Sequence, residues 1–267
     1  MRRLNSLRYI YGRLTMQTNV IRRGRPADIL RSRAATLAAA LILISSMGAA
    51  SNSYQANAQE PKYEMGTFYM CLLIRPPNFS AANLSQDLVK EHLKHIQGLL
   101  ASGKGVIAGP FADNTRVAGV FVLNASSAEE ARAIEEADPF VKTAGLSVEV
   151  LKWWAAKGIM KPPPQPLKQK VYYLTFLRRG PKWTPEKTPE TEKLQAEHMA
   201  NINAMAKTGK LVIAGPFENA GEYAGIFVFK VDTLDEAKQL AQSDPAVKAG
   251  RLVADVHPWL LGEGSLP

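Results

Sequence analysis

From about Phe68 onward the chain states nearly the same sequence twice, and that repetition limits its fold more than any single motif. Glu91 to Phe111 reads EHLKHIQGLLASGKGVIAGPF, and Glu197 to Phe217 reads EHMANINAMAKTGKLVIAGPF, at a constant offset of 106 residues. The register continues without a gap through Gly119/Gly225 and Asp138/Asp244 to Trp153/Trp259. Solenoid units recur every ~20–50 residues. A period near 100 therefore marks a small domain present twice.

Each copy alternates strand and helix signals. Phe68 to Ile74 is an apolar strand bounded by Arg75-Pro76-Pro77, with Val171 to Leu177 as its counterpart. Val89, Leu93, Ile96 and Leu100 then fall on one helical face, and Gly103 and Gly209 are placed to end the two helices. Val106 to Ala108 and Leu211 to Ala214 are short strands expected to stop at Gly-Pro. Val117 to Leu123 and Tyr223 to Phe229 are further strands, where Gly119 and Gly225 mark a bulge or a close approach. Ser127 and Thr233 cap second helices, each followed three residues on by an acid. Ser147 to Trp153 and Val253 to Trp259 close the units as strands.

The order is β-α-β-β-α-β, the ferredoxin-like split βαβ arrangement. Such a unit carries both helices on one face of its sheet and leaves the other bare. The fold class is therefore α+β, with two ferredoxin-like βαββαβ repeats packed as an intramolecular pseudo-dimer. Repeat 1 spans 67–157 and repeat 2 spans 170–262. Residues 158–169 form a stiff Pro-rich linker, with a short tail at 263–267.

The formal charge of +9 sits mostly at the front, since residues 1–58 carry nine Arg and one Asp. That basic stretch, the apolar run from Ala34 to Ile44 and Ala56-Asn57-Ala58 make a secretory signal peptide over 1–58, followed by a mature tail at 59–66. An uncleaved anchor is the alternative, although the apolar run falls short of the ~20 residues a span needs. The expected location is periplasmic or secreted, with no stable membrane span after cleavage. The remaining charge is nearly balanced and shows no basic patch interleaved with aromatics, so nucleic acid is not an expected partner. Cys71, the single cysteine, lies in an apolar strand and reads as a buried small hydrophobe.

Glu-His on the first helix, then G-K-x-V-I-A-G-P-F, then Asp-Pro-x-Val-Lys and a closing Trp together resemble the YCII-related (YciI-like) domains of the dimeric α/β-barrel superfamily. The resemblance covers almost the whole chain after the leader, once per repeat. It implies an acid–base site in which His92 and His198 work with Asp138 and Asp244. Some relatives carry an acid just before the glycine that ends the first helix; here Ala101-Ser102 and Lys207-Thr208 stand there. If that acid is the family's functional partner, the dyad is missing.

Read as residues alone, His92 and His198 are the only histidines at matched positions, at the expected margin between core and solvent. A boundary histidine bonded to backbone is the plain alternative. Asp138-Pro139 and Asp244-Pro245 read first as helix starts. Both roles are compatible if one carboxylate oxygen caps while the other meets the imidazole. Phe111, Trp153, Phe217 and Trp259 are candidate walls of a substrate pocket, with turn and core roles as the competing reading. His92-x-x-His95 lacks partners for a metal, since Asn201 replaces His95 in repeat 2, so no metal is expected. No phosphate loop, G-x-S-x-G element or haem motif occurs, and no cofactor is expected. His257 matches Leu151 and is expected to face solvent or a strand end.

Three functions compete. One is a cofactor-independent enzyme of lyase or isomerase type acting on a small organic molecule. The others are a non-catalytic periplasmic binding module and an interaction protein; pairing of two chains stays open. Export makes one direct statement. Cleavage after Ala58 leaves Gln59 as the first residue, which N-terminal sequencing of protein recovered from a periplasmic extract reads out.

Overall fold

The computed structural model describes residues 63–80 and 84–267; the expected signal peptide at 1–58 lies outside them. Repeat 1 comprises β1 (Met65–Ile74), α1 (Gln86–Ser102), β2 (Gly105–Pro110), β3 (Val117–Leu123), α2 (Ala128–Glu136), α3 (Pro139–Thr143) and β4 (Ser147–Ala156). Repeat 2 follows with β5 (Gln169–Arg179), α4 (Pro189–Lys207), β6 (Leu211–Glu218), β7 (Tyr223–Phe229), α5 (Leu234–Ser243), α6 (Pro245–Lys248) and β8 (Leu252–Gly262). Among the described residues no helix is long and apolar enough to cross a membrane.

Local chemistry fixes the helix ends. Ser85, Ser127, Thr188 and Thr233 each accept a backbone N–H from the residue three positions on, which satisfies a donor the first helical turn leaves over. Gly103 and Gly209 follow the first helices at φ 74° and 72°, where a side chain would be strained.

The eight strands run in the order β2-β3-β1-β4-β6-β7-β5-β8, all neighbours antiparallel. Two four-stranded sheets thus meet where β4 pairs β6, through Lys152↔Glu218 and Trp153↔Phe217. At the opposite margin Phe111 bridges Trp259, the same two positions with the repeats exchanged. The sheets close on each other around a single core. Met70, Leu72 and Trp153 of repeat 1 interleave there with Leu174, Phe176 and Trp259 of repeat 2. Each sheet's other face carries its own helices over a smaller core. The chain is α+β, built as the expected pseudo-dimer.

Two expectations about strands change. Tyr69 lies opposite Leu123 as Tyr173 lies opposite Phe229, so β1 and β5 correspond at an offset of 104 and Phe68 matches Tyr172, not Val171. A slip of one residue turns every side chain to the other face. The true register sends Phe68, Met70 and Leu72 into the shared core alongside Tyr172, Leu174 and Phe176. Of the Gly-Pro pairs, the first ends its strand as expected and the second does not. β2 runs to Pro110 and β6 to Glu218, and neither Gly109 nor Gly215 has positive φ.

These glycines serve the closure of the barrel. A Cβ on Gly109 would stand 2.0 Å from the Leu260 carbonyl oxygen, and one on Gly215 would stand 2.3 Å from that of Trp154. Each repeat presses its last strand onto the other repeat's Gly-Pro-Phe segment, which leaves no room for a methyl group. Gly109→Ala or Gly215→Ala is therefore expected to cost at least about 2 kcal/mol, in the range of overpacked cores. Gly98→Ala, with open space around it, is the control that gains up to about 1 kcal/mol of helix propensity. Denaturant unfolding of the three variants checks both signs.

Candidate functional site

His92 stands on α1 and Asp138 caps α3; packing of these helices against each other brings the two together. The His92 Nδ1 lies 2.5 Å from Asp138 Oδ2, while Asp138 Oδ1 accepts the Phe140 N–H at 2.8 Å. Repeat 2 repeats the pattern. The His198 Nδ1 lies 2.8 Å from Asp244 Oδ2 and 2.9 Å from Oδ1, and Oδ1 accepts the N–H groups of Ala246 and Val247. Each aspartate therefore begins a helix and grips an imidazole at once. Both carboxylates are fully buried. His92 is also buried, not marginal as the helical spacing suggested, because the Phe140 ring lies 4.7 Å from it on one side.

Burial alone would raise the Asp138 carboxyl. The hydrogen bond and charge of His92, the Phe140 amide and the charge of His95 outweigh it and hold Asp138 below its ordinary range. Asp138 is thus an anion, and the proton of the pair sits on Nδ1 of His92. That tautomer leaves Nε2 as the ring's basic atom. Neighbours of the aspartates differ between repeats. Asn201 donates to Asp244 Oδ2 at 3.1 Å, whereas its counterpart His95 has a buried Nε2 without a hydrogen-bond partner. Glu135, fully buried behind Asp138, is pushed well above the usual carboxyl range by burial and then by the Asp138 charge. Among the described residues no three His, Cys, Asp or Glu side chains converge as a metal would require. Cys71 is fully buried and its thiol is pushed up by burial.

Each dyad opens on a cleft between the first helix and the helix-side face of its sheet. The first cleft, about 150 Å3, is lined by Val89, His92, Phe121 and Phe140, and it is roofed by Pro163 and Leu167 of the linker. The second, about 250 Å3, is lined by His198, Gln195, Trp183, Phe227 and Arg251. Phe111, Trp153, Phe217 and Trp259 line neither cleft. They face the opposite side of the sheets, 0–8 % exposed in the shared core, and form the two barrel seams. Expecting them as pocket walls is corrected by strand parity: their side chains leave the sheet on the face away from the helices.

A third histidine–carboxylate cluster bridges the repeats. His257 Nδ1 lies 2.8 Å from Asp113 Oδ2, its Nε2 lies 3.4 Å from Asp255 Oδ1, and the ring stacks on Phe111 at 4.9 Å. His257 is buried instead of facing solvent. Its place two residues before Trp259 puts it on the inner face of β8, a period-2 signal legible in the sequence. Burial works against the imidazolium, but the hydrogen bonds and charges of Asp113 and Asp255 overcome this and raise His257 to about 9.

Comparison with known proteins agrees with this architecture. A family model, the YCII-related domain, matches residues 67–154 and again 173–260. The uncharacterized protein YjpA of Bacillus subtilis (strain 168) is 32 % identical over 78 residues, which is 28 % of this chain and 89 % of YjpA. Among solved structures, chlorite dismutase from Candidatus Nitrospira defluvii superposes with a TM-score of 0.51 in two forms. An arginine-to-lysine mutant is 10 % identical and matches 76 % of this chain and 93 % of its own. The imidazole complex is 12 % identical and matches 75 % and 93 %. At such identity the likeness is one of fold.

The bridging cluster gives a pH dependence. An imidazole at about 9 in the folded chain, against 6.5 ordinarily, stabilises the fold fully below pH 6.5, and this contribution is lost as pH rises through 9. The loss is on the order of 3 kcal/mol, visible as a lower urea midpoint at about pH 9.5 than at about pH 6. The double variant Asp113→Asn/His257→Leu, which carries at each position the residue of the sister repeat, is expected to flatten that difference.

Proposed function

Since this chain belongs to the family of YCII-related domains and holds two in tandem, we propose that each copy is a cofactor-independent proton-transfer site for a small organic molecule. The observation that carries this reading is the doubly used aspartate. One carboxylate is tied to a helix start and, in the same place, to the Nδ1 of a histidine beside a cleft, in both repeats. A carboxylate so held cannot swing away, so the imidazole keeps its tautomer and its orientation.

The chemistry runs through Nε2. A substrate whose carbon or hydroxyl hydrogen lies against His92 or His198 gives that proton to Nε2. The imidazolium formed is stabilised by the aspartate behind it. Returning the proton to a different atom of the same molecule is an isomerisation; expulsion of a leaving group, which takes up that proton as it departs, is an elimination. Neither needs an electron acceptor. The mostly apolar walls suit a small, weakly polar substrate and favour proton transfer by excluding water. The arginine-rich and apolar leader supports a place of action outside the cytoplasm.

The test is exchange of carbon-bound hydrogen for deuterium in small ketones and lactones, followed by proton NMR in D2O. Wild-type protein is expected to speed exchange, and His92→Gln/His198→Gln to lose about 10²–10⁴-fold, the usual weight of a general base. Thermal midpoints of wild type and the double variant should agree within a few degrees. Binding of the same compounds with no exchange in the wild type would instead make the repeats a binding module.

A further inference from the structure

The two clefts are built on one plan, and several departures beside the histidine make the second less apolar, although Gln97 lines the first cleft and its counterpart Asn203 does not line the second. In both, an arginine lies over an aromatic ring at the mouth. Arg75 sits 5.6 Å above Phe79, and Arg179 sits 4.0 Å above Trp183. By the offset of β1 and β5 these are the same two positions. Around the histidine, however, Val89 of the first cleft is replaced by Gln195 in the second, and Phe140 by Ala246. The turn Gly145-Leu146 of repeat 1 becomes Gly250-Arg251 in repeat 2, and Arg251 lines the second cleft.

Charge follows the same division. In repeat 1 burial lowers the Arg75 guanidinium, and the nearby Asp113 charge works against that lowering. Its counterpart in repeat 2 is the neutral Asn219. The acids close to β5, Glu222 and Asp255, are taken by Arg178. Among the described residues neither Arg179 nor Arg251 pairs with a carboxylate. Arg251 donates instead to Thr184, through Nη1 to Oγ1 at 2.9 Å and through Nη2 to the carbonyl at 2.7 Å. That hold orients a guanidinium beside Trp183 and leaves further N–H donors unused.

We infer that the second cleft takes a small planar molecule bearing a carboxylate, whereas the first takes an uncharged one. The carboxylate meets Arg251, the ring lies along Trp183, and the room opened where Ala246 replaces Phe140 brings the molecule to His198. Charge-assisted hydrogen bonding to a preoriented guanidinium supplies the preference. The first cleft also has an arginine, Arg75, but its guanidinium donates to the Thr115 carbonyl and lies near the Asp113 charge, which opposes an anion there. The inference rests on reading both clefts as ligand sites, but not on catalysis.

The chain has four histidines, so a carbon–proton spectrum of protein labelled at the histidine Cε1 carries one reporter in each cleft, together with His95 and His257. Benzoate is expected to move the His198 signal in a saturable way and leave His92 in place. Benzyl alcohol, of the same shape without the charge, should bind at His198 at least tenfold more weakly. Arg251→Gln is expected to weaken benzoate at least tenfold and Arg251→Lys to keep most of the binding, with unmoved His95 and His257 signals reporting an intact fold. Benzoate moving His92 as far as His198, or binding unaffected by Arg251→Gln, or no saturable shift, overturns the inference. Benzoate binding at His198 without any hydrogen exchange sustains it while defeating the catalytic reading; exchange without benzoate binding does the reverse.

Discussion

Burial of two bare sheet faces against each other is the interaction on which the molecule depends. The backbone contribution to closure is slight. One seam has two residue pairs and the other a single bridge, and a hydrogen bond adds a net ~1 kcal/mol. Each buried indole at a seam removes ~150–250 Å2 from water, worth roughly 4–6 kcal/mol at ~25 cal/mol per Å2. Trp153 and Trp259 thus outweigh the ladders they belong to. Their packing requires the opposing backbone to come very near, and glycine at 109 and 215 permits it.

The same closure positions the clefts. Once the inner faces are consumed by the shared core, the concave surface left in each repeat lies beneath the first helix, where the dyads are. The aspartates link both levels. As helix caps they fix where α3 and α6 begin; as imidazole partners they set the proton on Nδ1. A side chain with two such roles has little freedom to drift, because changing it damages the fold and the site together.

Much of this was legible from the sequence because repetition supplies a second reading of every position. The β-α-β-β-α-β order, the caps at Ser127 and Thr233 and the matched histidines followed from residues standing at equal places, while their pairing with Asp138 and Asp244 came from the family resemblance. What stayed hidden was set between the repeats. Gly109 and Phe111 look like a turn until the other repeat's last strand is laid against them. Trp153 and Trp259 look like pocket walls until strand parity is fixed by pairing. His257 and Asp113 are 144 residues apart and have no counterpart in the sister repeat, so repetition gave no hint of them. The offset of β1 against β5 escaped for a smaller reason: both alignments place apolar residues on both faces of strands that are buried on both sides.

The solitary His257 cluster has a consequence for how such molecules diversify. Two identical subunits meeting about a twofold axis must carry every interfacial residue in duplicate, so an imidazolium with its carboxylates would appear at both seams and be desolvated twice. Fusion into one polypeptide lifts that obligation. One junction can then bury an imidazolium where the other holds a leucine, and a mutation is tried at a single location instead of two. Asymmetry of this sort is open only to a covalently joined pair, and it lets one half change its chemistry while the other keeps the architecture intact.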